Sequence, residues 1–264
     1  MSTDGGGIGL PQMSEREMFG RLLSEGAERD DAEPAIAASI GEQMLHMNLL
    51  PLPRSMRARI RDISARVPAS NAVLVGGGIG HLAAWLLDLW CGDPADPPEQ
   101  PPKRPDSFRI VEPGGRFGVI IDRLIRRHGA ESWTHVIAMP WQEVAAESAS
   151  WSAATAALPK SAQPSPLPLP LDLVIIDMPE SERASASSAA FEMLSPGGVL
   201  LVQEPEVPTG DVGVAEEGSE PTPAQMKVES FNRWIDFVKQ TSESHSLGFV
   251  ELTGGSLAVL RRAT

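Results

Sequence analysis

The pentapeptide GGGIG occurs twice in the sequence, at residues 5–9 and at residues 76–80. Only the second copy follows a short apolar run, AVLV, and precedes a helical pattern, HLAAWLLDLW. A glycine turn between a strand and a helix lets a nucleotide approach the backbone closely, and the start of the helix adds unpaired N–H groups. We therefore predict a nucleotide-binding turn at the second copy alone. Its glycines are Gly76, Gly77, Gly78 and Gly80.

An acidic residue stands where a nucleotide-binding fold needs one to hold ribose. Such folds place an Asp or Glu at the end of the next strand, about 20 residues beyond the glycines. The apolar run FRIV is followed by Glu112, which lies 32 residues beyond Gly80, or 18 when a 14-residue proline-rich insertion is left out. We predict that Glu112 accepts hydrogen bonds from ribose hydroxyls. The alternative is a solvated acid at the end of a strand.

From residue 71 onward, short apolar runs alternate with amphipathic helices. The runs are AVLV (72–75), FRIV (108–111), HVIA (135–138), LDLVII (171–176), GVLLV (198–202), LGFVEL (247–252) and SLAVL (256–260). The predicted helices between them begin near Ile79, Phe117, Gln142, Ser181 and Ala224. This pattern is typical of an α/β fold whose mostly parallel sheet is covered on both faces. The last two runs leave no room for a helix, so they predict an antiparallel pair.

Three helices are predicted ahead of this α/β core, within residues 14–67. The first follows Ser14, and the second runs from about Glu33 to Leu50. Ser55 is the predicted cap of the third helix, whose apolar positions form one stripe. That stripe consists of Met56, Ile60, Ile63 and Val67.

We predict one domain over residues 13–264, with the α/β core at 71–262 and a disordered tail at 1–12. Proline-rich insertions at 93–106 and 159–170 are predicted to be mobile surface linkers, because proline neither donates in a sheet nor fits inside a helix. The segment 204–222 is predicted to be a long acidic loop, either a lid or solvated chain.

Charge and cysteine content exclude several classes of partner. The formal net charge is −13, whereas a nucleic-acid surface needs clustered Lys and Arg to displace counterions. We therefore expect no nucleic-acid partner. The single cysteine, Cys91, excludes an internal disulfide and fits a reducing cytoplasm. The sequence shows no signal peptide and no apolar run suited to a membrane span, so we expect a cytoplasmic protein without a membrane partner.

Four motifs in order resemble those of class I S-adenosylmethionine-dependent methyltransferases. They are VLVGGGIG, IVEP, DLVIID and LSPGGVLLV, and the likeness covers roughly residues 36–262. The segments SFNRW (230–234) and ELTGGSLAVLRR (251–262) are most similar to the small-molecule O-methyltransferases of the catechol and caffeoyl-coenzyme A type. The resemblance implies a Rossmann-like methyltransferase fold, with a seven-stranded mostly parallel sheet, an antiparallel last strand and extra N-terminal helices.

The resemblance also implies a function. S-adenosylmethionine is the expected cofactor, an oxygen of a small-molecule acceptor is the expected methyl acceptor, and the N-terminal helices are expected to form a homodimer. Glu112 would hold the ribose, while Met139 and Trp141 would border adenine. For Trp141 the alternative is packing on the helix that follows. Asp177 would lie between cofactor and acceptor as a catalytic residue.

The sequence departs from the family pattern at several positions. The family places an acid where Leu74 stands, another where Pro140 stands, and a lysine where Glu180 stands. Glu180 is therefore a candidate general base, or else an exposed acid at the start of a helix. The family holds Mg²⁺ or a similar cation with an Asp and an Asp-Asn pair. Here the corresponding metal ligands would be Asp177, Gln203 and Glu204.

Other functions stay open at this point. The departures favour a non-catalytic binding or regulatory protein that keeps the fold. The glycine turn is also similar to that of aminopropyltransferases, although Ile79 stands where those enzymes carry an Asp. The fourth and fifth runs argue against an NAD-binding oxidoreductase. His81, just after the glycine turn, is interpreted as a helix-surface residue, with a position facing the cofactor as the alternative.

Overall fold

The computed structural model describes residues 14–24, 32–100, 103–154, 165–210 and 220–264. These residues form one seven-stranded sheet with helices on both faces, which confirms the predicted α/β class. The strands are β1 (Asn71–Val75), β2 (Ser107–Val111), β3 (Thr134–Ile137), β4 (Leu171–Ile176), β5 (Leu194–Gln203), β6 (Ser246–Leu252) and β7 (Gly255–Arg261). The helices are α1 (Glu15–Leu23), α2 (Ala35–His46), α3 (Arg54–Arg66), α4 (His81–Cys91), α5 (Gly115–Arg127), α6 (Trp141–Ala154), α7 (Glu180–Glu192) and α8 (Pro223–Ser242).

The strand order across the sheet is β3-β2-β1-β4-β5-β7-β6. Neighbouring strands from β3 to β5 are parallel, whereas β7 lies antiparallel to both β5 and β6. The predicted antiparallel last strand is therefore confirmed. The order reverses between β1 and β4, and the crevice outside the carboxyl ends at such a reversal is where open α/β sheets bind ligands.

Both faces of the sheet are buried because each central strand contributes alternate side chains to two cores. In β1, Ala72 and Leu74 enter the core beneath α2–α5, whereas Val73 and Val75 enter the core beneath α6–α8. Double burial explains why the strands appear in the sequence as continuous apolar runs rather than alternating ones.

The N-terminal helices pack on the first core, with one local difference from the prediction. The predicted stripe of α3 is buried at Met56, Ile60 and Ile63. The helix begins at Arg54 with Pro53 as its N-cap, so the predicted capping role of Ser55 was wrong. Proline suits this boundary because its fixed φ favours helix entry. The Ser55 hydroxyl instead donates to the carbonyl oxygen of Thr253 at 2.6 Å, joining α3 to the β6–β7 turn.

The insertions differ in part from the surface linkers predicted. In the second one, Leu167 is 1% exposed and belongs to the core beneath α6–α8, so its last residues are structural. In the first one, Arg104 stacks over Trp133 at 4.9 Å. The tail at 1–12, residues 159–164 and residues 211–219 of the acidic segment lie outside the described residues. Within the described ranges, no helix combines the length and apolar character that crossing a membrane requires.

Candidate functional site

The turn between β1 and α4 is built from glycines with positive φ. The φ angles are 91° at Gly76, 51° at Gly78 and 92° at Gly80, a region that favours glycine. A Cβ atom at Gly76 would lie 2.2 Å from the Asp177 carbonyl oxygen. Gly76 therefore allows the ends of β1 and β4 to approach each other, at the point where the strand order reverses.

Gly78 differs from its neighbours because it borders open space. A Cβ atom there would meet no other atom within 4 Å, whereas one at Gly77 would lie 2.7 Å from the Ile110 side chain. Gly80 caps α4, whose first N–H groups lie at the same end of the sheet. The turn thus offers a ligand an uncovered stretch of backbone at Gly78.

Glu112 is tied directly to this turn. Its Oε2 atom accepts a hydrogen bond from the Gly78 N–H at 2.7 Å, and its Oε1 atom accepts one from the Gly114 N–H at 2.8 Å. Glu112 is buried at the carboxyl end of β2. A carboxylate offers about four lone-pair positions, so two remain for further donors such as ribose hydroxyls. The solvated alternative for Glu112 is not supported by this geometry.

Asp177 occupies the other side of the reversal, directly after β4. Its backbone N–H donates to the Val75 carbonyl oxygen at 2.8 Å, which places it beside the glycine turn. Burial raises the pKa of the Asp177 carboxyl to about 6, while the charges of Arg183 and Arg57 act in the opposite direction. Asp177 is therefore an acid that can gain or lose a proton near neutral pH.

The side chains of the predicted metal ligands do not converge on a cation. The Gln203 side chain donates from Nε2 to the Gly254 carbonyl oxygen at 3.2 Å, and the Glu204 carboxylate accepts a hydrogen bond from the Trp234 indole at 3.3 Å. Among the described residues, no group of three or more His, Cys, Asp or Glu side chains is arranged to hold a metal. The donor set at Asp177, Gln203 and Glu204 does not fit Mg²⁺, which prefers a near-octahedral shell of oxygens.

Glu180 begins α7 and faces a cation from another helix. Its Oε1 atom lies 3.9 Å from the Lys227 Nζ, which also donates to the Glu206 carboxylate at 2.9 Å. The hydrogen bond to Glu206 raises the pKa of Lys227, so this lysine carries its charge. The sequence pattern missed Lys227 because it lies 47 residues beyond Glu180, on α8.

The two predicted adenine contacts, Met139 and Trp141, differ in their burial. Trp141 is 2% exposed and packs in the core beneath α6–α8, so the structure supports its packing alternative and not stacking on a ligand. A side chain with so little accessible surface has no face left for adenine. Met139 is half-buried against the same core and follows β3, so it stays a candidate contact.

A buried cluster of charged groups adjoins the glycine turn and was not predicted. Arg57 of α3 bonds to the Glu33 carboxylate and to Nε2 of His81, and it stacks over Trp85 at 5.3 Å. The interpretation of His81 as a helix-surface residue was wrong, since it is 5% exposed. A signal existed: the first turns of α4 are apolar all round, and a helix of that kind is buried on every side.

The charges within this cluster are fixed by its contacts. Desolvation opposes the ionisation of Glu33, yet the hydrogen bond and charge of Arg57 hold the pKa of this carboxyl below its ordinary value. Desolvation and the charge of Arg57 both lower the pKa of His81. The cluster is thus an ion pair of Glu33 and Arg57 beside a neutral imidazole.

The remaining candidates lie away from this chemistry. Leu74 is fully buried in the core beneath α2–α5, so no side-chain acid reaches the ligand from β1. Pro140 and His135 are exposed, and His135 contacts Arg109 at 3.0 Å. Burial raises the pKa of the Cys91 thiol to about 11, which excludes a reactive thiolate.

Comparison with known proteins establishes the fold. No family model matches the chain, and no curated protein matches it. Several solved structures are similar to the chain. An O-methyltransferase from Bacillus cereus in complex with SAH is 12% identical with a TM-score of 0.59, covering 88% of this chain and 92% of that one. TomG from Streptomyces achromogenes, an O-methyltransferase of tomaymycin synthesis in complex with SAM, is 14% identical with a TM-score of 0.56, covering 93% and 94%.

A third similar structure is the SAH-bound methyltransferase PaMTH1 from Podospora anserina, with 11% identity, a TM-score of 0.54 and coverage of 88% and 89%. At these identities the likeness shows the Rossmann-like methyltransferase fold. The antiparallel β7 between β5 and β6 separates this sheet from the all-parallel order of dinucleotide-binding folds. The NAD-binding alternative is therefore not favoured, and Ile79 in the glycine turn argues against the aminopropyltransferase alternative.

Proposed function

We propose that this protein transfers a methyl group from S-adenosylmethionine to an oxygen atom of a small molecule. One observation carries the proposal: the buried Glu112 carboxylate accepts a hydrogen bond from the half-buried backbone of Gly78 in the glycine turn, at the reversal of strand order. This arrangement supports the proposal, because a carboxylate that can accept from ribose hydroxyls lies next to open space at Gly78. The solved structures of similar fold bound to SAM or SAH support the same ligand.

Each side chain then has a defined task. Glu112 accepts hydrogen bonds from the ribose, Gly78 lets the ligand approach the backbone, and Met139 borders the adenine. Asp177 lies beside the turn, between the cofactor and the acceptor. When bound, S-adenosylmethionine supplies a methyl group that its sulfonium has already activated. The protein therefore mainly has to align the acceptor oxygen with that methyl group and exclude water.

The acceptor must lose its hydroxyl proton during transfer. Asp177 is the proposed proton acceptor, because its carboxylate has no hydrogen-bond partner among the described residues and its pKa of about 6 leaves it mostly ionised at neutral pH. Glu180 is a less direct candidate, since Lys227 lies beside its carboxylate. We assign Glu180 the task of holding Lys227 at the rim of the site.

Apolar side chains exposed near the end of α2 bear on the oligomeric state. We propose a cytoplasmic homodimer that contacts its partner through the N-terminal helices, because apolar side chains are exposed there. Leu45 is 64% exposed and Leu50 is 91% exposed, at the end of α2 and in the loop that follows. Light scattering on the purified protein tests this state: a mass of one chain refutes the dimer.

Calorimetry tests the proposed function directly. The protein is titrated with S-adenosylmethionine, S-adenosylhomocysteine and NAD. We expect micromolar binding of the first two and none of NAD. Glu112→Gln should weaken binding roughly 10- to 100-fold, because a hydrogen bond to a charged group contributes about 1.5–3 kcal/mol. Turnover is then sought with a panel of phenols, alcohols and carboxylic acids as acceptors.

A matched control variant comes from the amino end of β4, at the opposite end of the strands from Glu112. The Asp172 carboxylate accepts backbone N–H bonds from Ser70 and Asn71, both at 2.9 Å, in the same manner as Glu112. Asp172→Asn should lower stability and leave affinity unchanged. If wild type binds neither adenosyl compound, the proposal is wrong. Binding without turnover on any acceptor would favour the non-catalytic alternative.

A further inference from the structure

The Arg183 guanidinium lies between the two segments that carry the predicted metal ligands. Arg183, in the first turn of α7, donates from Nε to the Met178 carbonyl oxygen at 3.0 Å. Its Nη1 atom lies 3.4 Å and 3.3 Å from the carbonyl oxygens of Gln203 and Glu204. Arg183 therefore joins the segment after β4 to the end of β5, the two segments that carry the predicted metal ligands.

The side chains that act electrostatically on Arg183 are acidic, as the ligands of a metal site would be. Desolvation lowers the pKa of the Arg183 guanidinium, while the charges of Asp177, Glu180 and Glu206 favour its charged form. Lys227 also faces Glu180 and Glu206. Arg183 adds a second, half-buried cation, the kind of charge that a divalent metal would otherwise supply.

The side chains of Gln203 and Glu204 are also turned to other partners, as described above. Only their backbone carbonyl groups approach the position, and both accept from Arg183. The Nη2 atom of Arg183 has no hydrogen-bond partner within the described ranges. A planar guanidinium held through its other nitrogens would present this donor in a fixed direction.

We infer that Arg183 replaces the divalent cation in this site and holds the acceptor oxygen through Nη2, so that methyl transfer is independent of metal. The inference rests on the proposed function, because it names the group that holds the acceptor. The fixed positive charge stabilises the acceptor oxygen as its proton leaves to Asp177. The oxygen then forms its bond to the methyl carbon, and the electron pair of the broken C–S bond stays on sulfur.

Thermal unfolding with and without Mn²⁺ tests the inference on the full chain. Wild type should show no stabilisation by Mn²⁺, in the presence or absence of S-adenosylhomocysteine. Arg183→Met removes the guanidinium and leaves Lys227 alone beside Glu180 and Glu206, so Mn²⁺ should now stabilise the protein. At a concentration about tenfold above Kd, the rise in Tm should be roughly 3 °C.

Two further variants show that the effect belongs to this position. Arg183→Lys keeps the charge and should remain insensitive to Mn²⁺. Arg233→Met removes an equal charge from an exposed pair with Glu229 on α8 and should also remain insensitive. A merely structural role of Arg183 would lower Tm without creating a response to Mn²⁺.

The outcomes separate the two proposals. Stabilisation of wild type by Mn²⁺, or an equal response in Arg183→Met and Arg233→Met, overturns the inference even when S-adenosylhomocysteine binds. Failure of wild type to bind S-adenosylhomocysteine overturns the proposed function instead. If Arg183→Met does not fold, calorimetry of Mn²⁺ with ligand-bound wild type decides: micromolar binding overturns the inference, and absence of binding supports it.

Discussion

Gly78→Ala distinguishes a ligand-binding turn from a merely tight one. Gly78 has a φ of 51°, and a Cβ atom there would meet nothing within 4 Å. The methyl group would therefore cost little in packing. A positive φ lowers the unfolding free energy of an alanine variant by about 1–2 kcal/mol. The reduced entropy of its unfolded chain raises that free energy by about 0.4–1 kcal/mol. We expect a net loss of roughly 1 kcal/mol in unfolding free energy, or about 2–4 °C in Tm.

The larger effect should fall on ligand affinity, because the new methyl group enters the space assigned to the cofactor. Forcing a methyl group into a close contact costs about 1–3 kcal/mol, so the Kd for S-adenosylhomocysteine should rise roughly 5- to 150-fold. Calorimetry measures the Kd, and thermal unfolding measures the stability of the same sample. The two readouts keep a folding defect apart from a binding defect.

Gly129→Ala is the matched control. Gly129 follows α5 with a φ of 62°, and its Cβ atom would also meet nothing within 4 Å. Both variants should lose the same stability, and only Gly78→Ala should lose affinity. If the two variants bind S-adenosylhomocysteine equally well, the cofactor does not lie over Gly78 and the assignment of the turn is refuted.

Three further predictions concern stability. Asp177→Asn should stabilise the protein at pH 7.5 and not at pH 4. Because the Asp177 pKa is raised to about 6, the folded state binds the proton more tightly than the unfolded state, and wild type loses up to about 3 kcal/mol of unfolding free energy as pH rises from about 4 through 6. Urea unfolding at a series of pH values measures this loss. Arg57→Gln should cost about 3 kcal/mol in urea unfolding, because Glu33 keeps a partly buried charge without its partner, and a loss under 1 kcal/mol would contradict that reasoning. Gly76→Ala should cost roughly 2–5 kcal/mol, since strain at positive φ adds to a clash with the Asp177 carbonyl, and a Tm within 2 °C of wild type would show that the clash relaxes.

Local patterns predicted most of the fold because the forces that set it are local or periodic. The α3 stripe, the doubly buried strands and the glycine turn can each be recognised within a short stretch of the sequence. The insertions were harder, because Leu167 is an isolated apolar residue among prolines and its burial depends on the helices that cover it. Trp141 shows the same limit: nothing near it in sequence distinguishes a core indole from one that borders a ligand.

The sequence predicted a site residue only where that residue comes directly after the end of a predicted strand. Glu112 and Asp177 follow that rule and lie at the expected edge of the sheet. Arg57, Glu33 and Lys227 do not, because their partners lie 21 to 48 residues away in sequence. A charged residue inside an amphipathic helix resembles a surface residue until its buried partner is known.

These long-range pairs explain how the site keeps an acid near neutral pH. The charges of Arg183, on α7, and of Arg57, on α3, both lower the pKa of Asp177. Burial alone would favour the protonated carboxyl, and the two guanidinium groups together hold its pKa at about 6. Each guanidinium is in turn fixed by contacts outside Asp177: Arg57 by its pair with Glu33, and Arg183 by the carbonyl groups that end β4 and β5. The charges of two helix arginines, acting against burial, thus keep a titratable carboxyl with a pKa of about 6 beside the glycine turn.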